Sequence, residues 1–466
     1  MSNQTFLSFL SRLAAYEQSL SLLQWDAHVT SSKKGKQTRM DAVHVLTTDI
    51  YNLLSSRETE DLLQSVDSAE LPTHVQATLK HLLKQSERLR MISFKDYQAY
   101  EKQTAKAASA WHEARKADDF SIFRPQFDKL VAWQHEFADM KGYADHPYDA
   151  VLDNHLPGLT VKEMDRLFSD MKGSIHPLMG KIKDAEHRVK TGFLYYSFPE
   201  ADQSAIANDI LQEIGFDFQA GRLDSSGQPF TLTIQDNDVR VGLPYIDGNV
   251  QAGLMHVFTE GGHALFEQNR TALLRGATPT SDIEAQKTLW GDFIGKSKSF
   301  WDRYYTRFQR QAPSSFAKVS VEEFYEGINA AKLSIIRKEA NELTQPLHLQ
   351  VRYELEKGIM ERSIATRDLP GLWAEKIQQA TGLAVPYDNT GVLQEQHWAT
   401  AQFGHAAAKT FAYAQAAQWY EQMEGTNMHE WLRENVYEEQ VVSPQQIDAG
   451  AFNRYLQNKY GAIYRL

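Results

Sequence analysis

The sequence predicts a mainly α protein, read as one continuous unit over residues 1–466 with a small β-hairpin or sheet beside a motif-bearing helix. Glycine and proline are scarce, 26 and 14 in 466 residues, which favours long helices over turn-rich sheets. Apolar residues recur at helical spacing through long stretches, and only one stretch alternates convincingly with period two.

The helical elements come first. LSFLSRLAAYEQSLSLLQW, HVQATLKHLLKQSERL, FRPQFDKLVAWQHEFADM and VKEMDRLFSDMKGSIHPLMGKI each place an apolar stripe on one helix face, and short polar or Pro/Gly breaks separate them. Between about residues 226 and 246, SGQPFTLTIQDNDVRVGLPYI alternates on both sides of an Asp-Asn-Asp turn and predicts a β-hairpin. It leads directly into HVFTEGGHALFEQ, residues 256–268, so a small sheet should wall whatever that helix lines. Helical texture then resumes. Ser320 followed by Glu323 has the spacing of a capping box and marks a helix start. No solenoid-period repeat, low-complexity block or Ser/Gly linker divides the chain.

Composition narrows the function. The formal net charge of -11 argues against nucleic acid and anionic membrane as partners, because both require concentrated Lys and Arg. With no cysteine, a metal must sit on His, Asp or Glu, and neither a disulfide framework nor a thiol nucleophile is available. The amino terminus lacks the features of a secretory signal and no stretch is apolar enough to span a bilayer, so the expectation is a soluble cytoplasmic protein.

HVFTEGGHALFEQ is one residue away from H-E-x-x-H, whose two histidines share a helix face and bind one zinc while the glutamate activates the metal's water. Glu260 and His263 are present, but Thr259 holds the first ligand position, and a hydroxyl is a poor zinc ligand. His256 lies two turns before His263, about 10 Å along the axis, too far to share an ion with it. A di-iron site would need a second Glu-x-x-His, and none is found. The plain alternative is that Glu260 and His263 are buried polar residues and that Gly261 and Gly262 allow close helix packing, offsetting a cost of about 1 kcal/mol each relative to alanine.

The residues around the motif resemble the carboxypeptidase Taq family of HEXXH metallocarboxypeptidases along nearly the whole chain. GGHALFEQ is similar to the family's G-H-A-L-Y-E-Q, and Leu23 to Asp26 to its L-x-W-D. Pro147 to Gly158 resembles P-Y-D-x-L-L-D-x-x-x-P-G, His348 with Arg352 and Glu354 resembles H-x-x-x-R-x-E, and Gly391 to Trp398 resembles G-V-L-Q-D-x-H-W. The resemblance implies a helical fold with a deep central groove, a homodimer, and release of carboxy-terminal residues from peptides with zinc or another divalent metal. By position, His263 and Glu284 would be metal ligands, Thr259 the lost ligand, and Glu260 the general base.

Departures gather around that centre. Gln228-Pro229-Phe230 stands for H-P-F, and Asp238 to Leu243 keeps Arg240 but loses both threonines of D-x-R-x-T-T. Ile283 to Thr288 stands for H-E-S-x-Q-S, Asn341 for the Asp closing I-R-x-x-A-D, and His405 to Lys409 for Y-F-P-x-Y. Scaffold motifs are kept while chemical positions change.

Three readings follow. The first is a catalytically impaired or inactive peptide-binding relative with metal bound weakly or not at all; Arg240, Arg337 and Arg352, with Gln394 and His397, are its candidate ligand-binding residues, each arginine having a structural ion pair as the plain alternative. The second is an active metallocarboxypeptidase whose site is rearranged, with His256, His397 or His405 approaching from elsewhere. The third is a metal-free enzyme using Glu260 and His263 as an acid-base pair.

Overall fold

The computed structural model describes residues 2–30, 32–270, 278–331, 333–437 and 447–466. Some of the helices begin where the sequence supplies a side-chain cap. α1 (Ser2–Val29), α2 (Lys36–Ser55), α3 (Arg57–Ser65) and α4 (Thr73–Arg90) form the amino-terminal layer, and Ser56 caps α3 by accepting from Thr59 N. α5 (Phe94–Ala117) and α6 (Phe120–Lys141) pack along each other, and the short α7 (Pro147–Leu152) leads to α8 (Val161–Ala185), which opens with a Thr160/Glu163 capping box. α9 (Glu200–Glu213) precedes the sheet.

The apolar faces build two cores. Phe6, Phe9, Leu10, Leu13, Leu54, Leu63, Val75, Leu79 and Leu82 bury one another between α1 to α4. A much larger core runs through the remaining helices, centred on buried aromatics such as Trp290, Trp301, Trp373 and Trp398.

The predicted hairpin is present as β2 (Phe230–Gln235) and β3 (Asp238–Leu243), antiparallel, with Gln235 opposite Asp238. Asn237 takes the left-handed conformation at φ 60° that a tight turn requires and that asparagine tolerates. A third strand, β1 (Gly221–Ser225), pairs parallel with β3, giving the order β1-β3-β2. Gly221 is needed there, because a Cβ would come within 2.1 Å of the Val239 carbonyl.

α10 (Val250–Gln268) carries the motif and is flanked by the sheet, α9 and α11 (Thr280–Thr288). α11 runs into a π-helical turn, Leu289–Ile294, of the kind that recurs at functional sites. Glycine lets these elements approach. A Cβ on Gly262 would fall 2.3 Å from Trp290 Cδ1, and one on Gly261 2.7 Å from Leu211 Cδ2. The two motif glycines therefore do serve close packing.

The rest of the chain encloses this centre with α12 (Lys298–Gln311), α13 (Val321–Ile328), α14 (Gln345–Met360), α15 (Leu369–Thr381), α16 (His405–Gln422) and α17 (Ala449–Tyr464). The expected capping box at Ser320 starts α13. Among the described residues no helix is long and apolar enough to cross a membrane.

Candidate active site

Period-two alternation sets the sheet side of the site. Thr231 and Thr233 lie on one face of β2, and that face meets α10. Thr231 Oγ1 lies 2.9 Å from Glu260 Oε2 and 3.0 Å from the Glu260 carbonyl, while Thr233 Oγ1 donates to Glu267 Oε2 at 2.8 Å. Helical spacing of three and four then puts His263 between two carboxylates, with Nδ1 4.0 Å from Glu260 Oε2 and Nε2 3.8 Å from Glu267 Oε1. Both separations exceed hydrogen-bond length, and Nδ1 is buried without a partner.

Two lysines complete the centre. Lys287 of α11 donates to Glu260 Oε1 at 3.2 Å. Lys409 of α16 lies 3.1 Å from Glu284 Oε2 and donates to Thr288 Oγ1 at 2.8 Å. The other Glu284 oxygen faces His405 Nε2 at 3.7 Å. Burial alone would raise the Glu284 pKa, but Lys409, His405 and Lys287 together hold it well below the usual carboxylate range. Burial and then the Lys287 ammonium push His263 down to about 3, so its imidazole is neutral. Side chains of His263, Glu284, Lys287 and Lys409 keep 13 to 21% of their surface, so the centre is recessed yet reached by solvent.

Thr259 is half-buried against the π turn. A Cβ added to Gly291 would lie 2.3 Å from its hydroxyl oxygen. His256 is recessed one turn earlier on α10, with Nδ1 unbonded among the described residues, and burial lowers its pKa.

The remaining candidates separate by their partners. Arg240 is held by Asp238 through two hydrogen bonds of 2.8 and 2.7 Å and lies over the Trp25 ring. Arg352 is buried and engaged by Glu356 Oε1 at 2.8 Å, Glu395 Oε1 at 3.3 Å and the Gln402 carbonyl. Both are engaged in structural ion pairs. Arg337 differs: its Nε is buried with no hydrogen-bond partner, and its charge helps to hold the buried Glu395 carboxylate well below the usual range. Its backbone N donates to Gln394 Oε1 at 3.0 Å, and Gln394 Nε2 donates to the Ile335 carbonyl, so Gln394 fixes the turn that carries Arg337. His397 bonds Glu395 at 2.6 Å and stacks on His405 with ring centroids 4.1 Å apart. Through that stack the Arg352 network reaches Glu284.

The donor set can be tested against the divalent metal that the resemblance implies. A catalytic zinc needs three protein ligands converging to about 2 Å. Here the first position offers a hydroxyl packed on Gly291, and both Glu284 oxygens face cationic or imidazole nitrogens. Among the described residues no group of three or more His, Asp or Glu is placed to hold a metal ion. The residues do not fit the group, and no chemical step through a metal follows from them.

Comparison with known proteins places this chain in a family. The model for carboxypeptidase Taq (M32) metallopeptidases matches residues 5–460. Carboxypeptidase 1 of Bacillus subtilis (strain 168) is 32% identical, with 99% of this chain and 98% of the relative covered. Thermostable carboxypeptidase 1 of Thermus thermophilus is 30% identical at 99% and 98% coverage. The structure of the M32 carboxypeptidase from Deinococcus radiodurans R1 superposes with a TM-score of 0.94 at 26% identity, covering all of both chains. From its helical scaffold, its motif order and these matches, the chain belongs to the carboxypeptidase Taq (M32) metallopeptidase family.

Proposed function

We infer that this chain is a peptide-binding relative of the metallocarboxypeptidases whose own catalysis is impaired or absent. The observation that carries this reading is the altered ligand set: Thr259, a hydroxyl, rests on Gly291 at the first ligand position, and the Glu284 carboxylate faces Lys409 and His405. Glu260, which would have to accept a proton from water, is engaged by Lys287 and Thr231. Peptide recognition would rest on Arg337, whose planar guanidinium can pair with a terminal carboxylate in bidentate geometry. Gln394 would act by holding the Arg337 backbone, and Arg240, Arg352 and His397 by supporting the recess. The family resemblance adds a homodimer to this proposal, and the sequence adds a cytoplasmic location; light scattering and fractionation would check them.

The competing reading is an active carboxypeptidase with a rearranged site, and the approach of His405 to Glu284 is the observation in its favour. Release of carboxy-terminal amino acids from a blocked dipeptide, with and without added cobalt, separates the two. The peptide-binding reading expects no release above background, with retention of the dipeptide measured by equilibrium dialysis. Metal-stimulated turnover would overturn it in favour of the rearranged site.

A further inference from the structure

We propose that Lys287 and Lys409 are built-in replacements for the two positive charges of a metal dication, so that the recess is neutralised and cross-linked by side chains of the chain itself. This rests on the reading that the protein works without a bound metal, and it explains how the family scaffold folds around such a centre.

Burial makes Glu260 and Glu284 costly as bare carboxylates, since each must be neutralised or matched by a cation. Glu260 is 3% exposed and the Glu284 side chain 15%. A divalent ion held by α10 and α11 would supply two charges and a link between those helices. The two ammonium groups supply the same charge in two pieces. Lys287 of α11 reaches back to Glu260 of α10 at 3.2 Å and ties the same pair of helices. Lys409 of α16 reaches Glu284 at 3.1 Å and ties α16 to α11, and its second bond to Thr288 at 2.8 Å fixes its head. Glu260 and Glu284 are thereby each matched by one ammonium group.

The substitutions are coordinated in chemical type. In the family pattern used above, position 287 carries glutamine and position 409 tyrosine, both neutral, while position 259 carries the histidine ligand. This chain exchanges both neutral residues for cations and the ligand for a hydroxyl. Loss of the ligand alone would leave the carboxylates unmatched. Gain of the cations alone would place ammonium groups against a bound dication. The three changes are chemically compatible with one another.

Two kinds of barrier oppose metal binding, a missing ligand and an occupied charge site. Four proteins test it: the natural chain, Thr259→His, Lys287→Gln/Lys409→Gln, and the triple variant combining all three. Zinc binding is measured by competition with a chromophoric chelator, and thermal midpoints are recorded with and without zinc. Thr259→His alone is expected to bind zinc poorly and to show no zinc-dependent midpoint, because Glu284 stays with Lys409. The triple variant is expected to bind about 100-fold more tightly than Thr259→His, the scale on which supporting residues tune a metal site. Its midpoint should rise with zinc. Without metal, Lys287→Gln/Lys409→Gln should melt below the natural chain.

Equal zinc affinity in Thr259→His and the triple variant would overturn the proposal, as would a double variant that melts like the natural chain. Should the triple variant fail to fold, Thr259→His/Lys409→Gln takes its place and must exceed Thr259→His by about tenfold; no gain there also overturns the proposal. Tight zinc binding by the natural chain would instead overturn the metal-free reading beneath it, so the two failures are distinguishable.

Discussion

Gly262 shows how a residue that resembles part of a catalytic motif also serves packing. Its missing Cβ leaves room for Trp290, whose side-chain atoms would lie 2.3 to 2.4 Å away. Trp290 is fully buried. Gly262→Ala should destabilise the chain by about 1–3 kcal/mol through overpacking, read as a lower urea midpoint with an unchanged slope. Stability equal to that of the natural chain would show that the π turn yields. At Arg337 the expectation is different in kind: Arg337→Gln should weaken dipeptide retention by about tenfold or more, the scale of one charge-assisted hydrogen bond, while leaving the urea midpoint unchanged. Equal losses from Arg240→Gln would contradict the assignment, since Asp238 already holds that guanidinium.

These residues also show where sequence is informative. Glu260 and His263 are visible because their spacing on one helix is a local property. The engagement of Arg240 is local too, two residues from its partner, yet an Asp-x-Arg string does not reveal whether the pair closes. Lys409 meeting Glu284 depends on α16 packing on α11 across 125 residues of chain, with no periodic signal to announce it. The departures at positions 287 and 409 lay in plain view, but their meaning as cations facing carboxylates came only with the fold.

At the scale of elements, apolar periodicity was enough for the long helices, and alternation for the hairpin. β1 escaped because Gly221-Arg222-Leu223-Asp224-Ser225 has no clear alternation and becomes a strand by pairing with β3. The π turn, Leu289–Ile294, gives no sequence signal of its own. The carboxy-terminal helix α17 offers a prediction of its own. Glu342 is fully buried, accepts from Lys296 at 2.9 Å and Lys459 at 2.5 Å, and also from Tyr460 at 2.9 Å. Lys459 and Tyr460 belong to α17, so one carboxylate anchors that helix to the core. Glu342→Ala leaves two buried ammonium groups with one fewer partner and should cost about 3–5 kcal/mol. Hydrogen exchange should then rise first in α17, and a uniform rise throughout the chain would contradict the local anchoring.

Over the whole molecule, buried neutral histidines contribute to the response to acid. Burial presses His348 and His155 down to about 4 each. An unfolded chain takes up those protons near pH 6.5, while the folded chain refuses them until about pH 4. Their contribution is therefore present above pH 6.5 and is lost as pH falls from there towards 4. The effect is up to about 3 kcal/mol for His348, which is almost wholly buried. Urea midpoints should be flat from pH 7 to 8 and fall steadily below pH 6.5; a rise on acidification would contradict it. The same scale joins the two cores. α1 to α4 have an apolar interior of their own, bound to the sheet by Trp25 against Phe230 and by Gln18 bonded to Gln235.

The central claim is that the chain holds its carboxylates with lysines in place of a metal. Its most direct test is elemental analysis of the untagged natural protein, followed by titration with zinc. The account predicts far less than one metal per chain as purified and no tight uptake on titration. One firmly bound equivalent of zinc, cobalt or another divalent ion would contradict it.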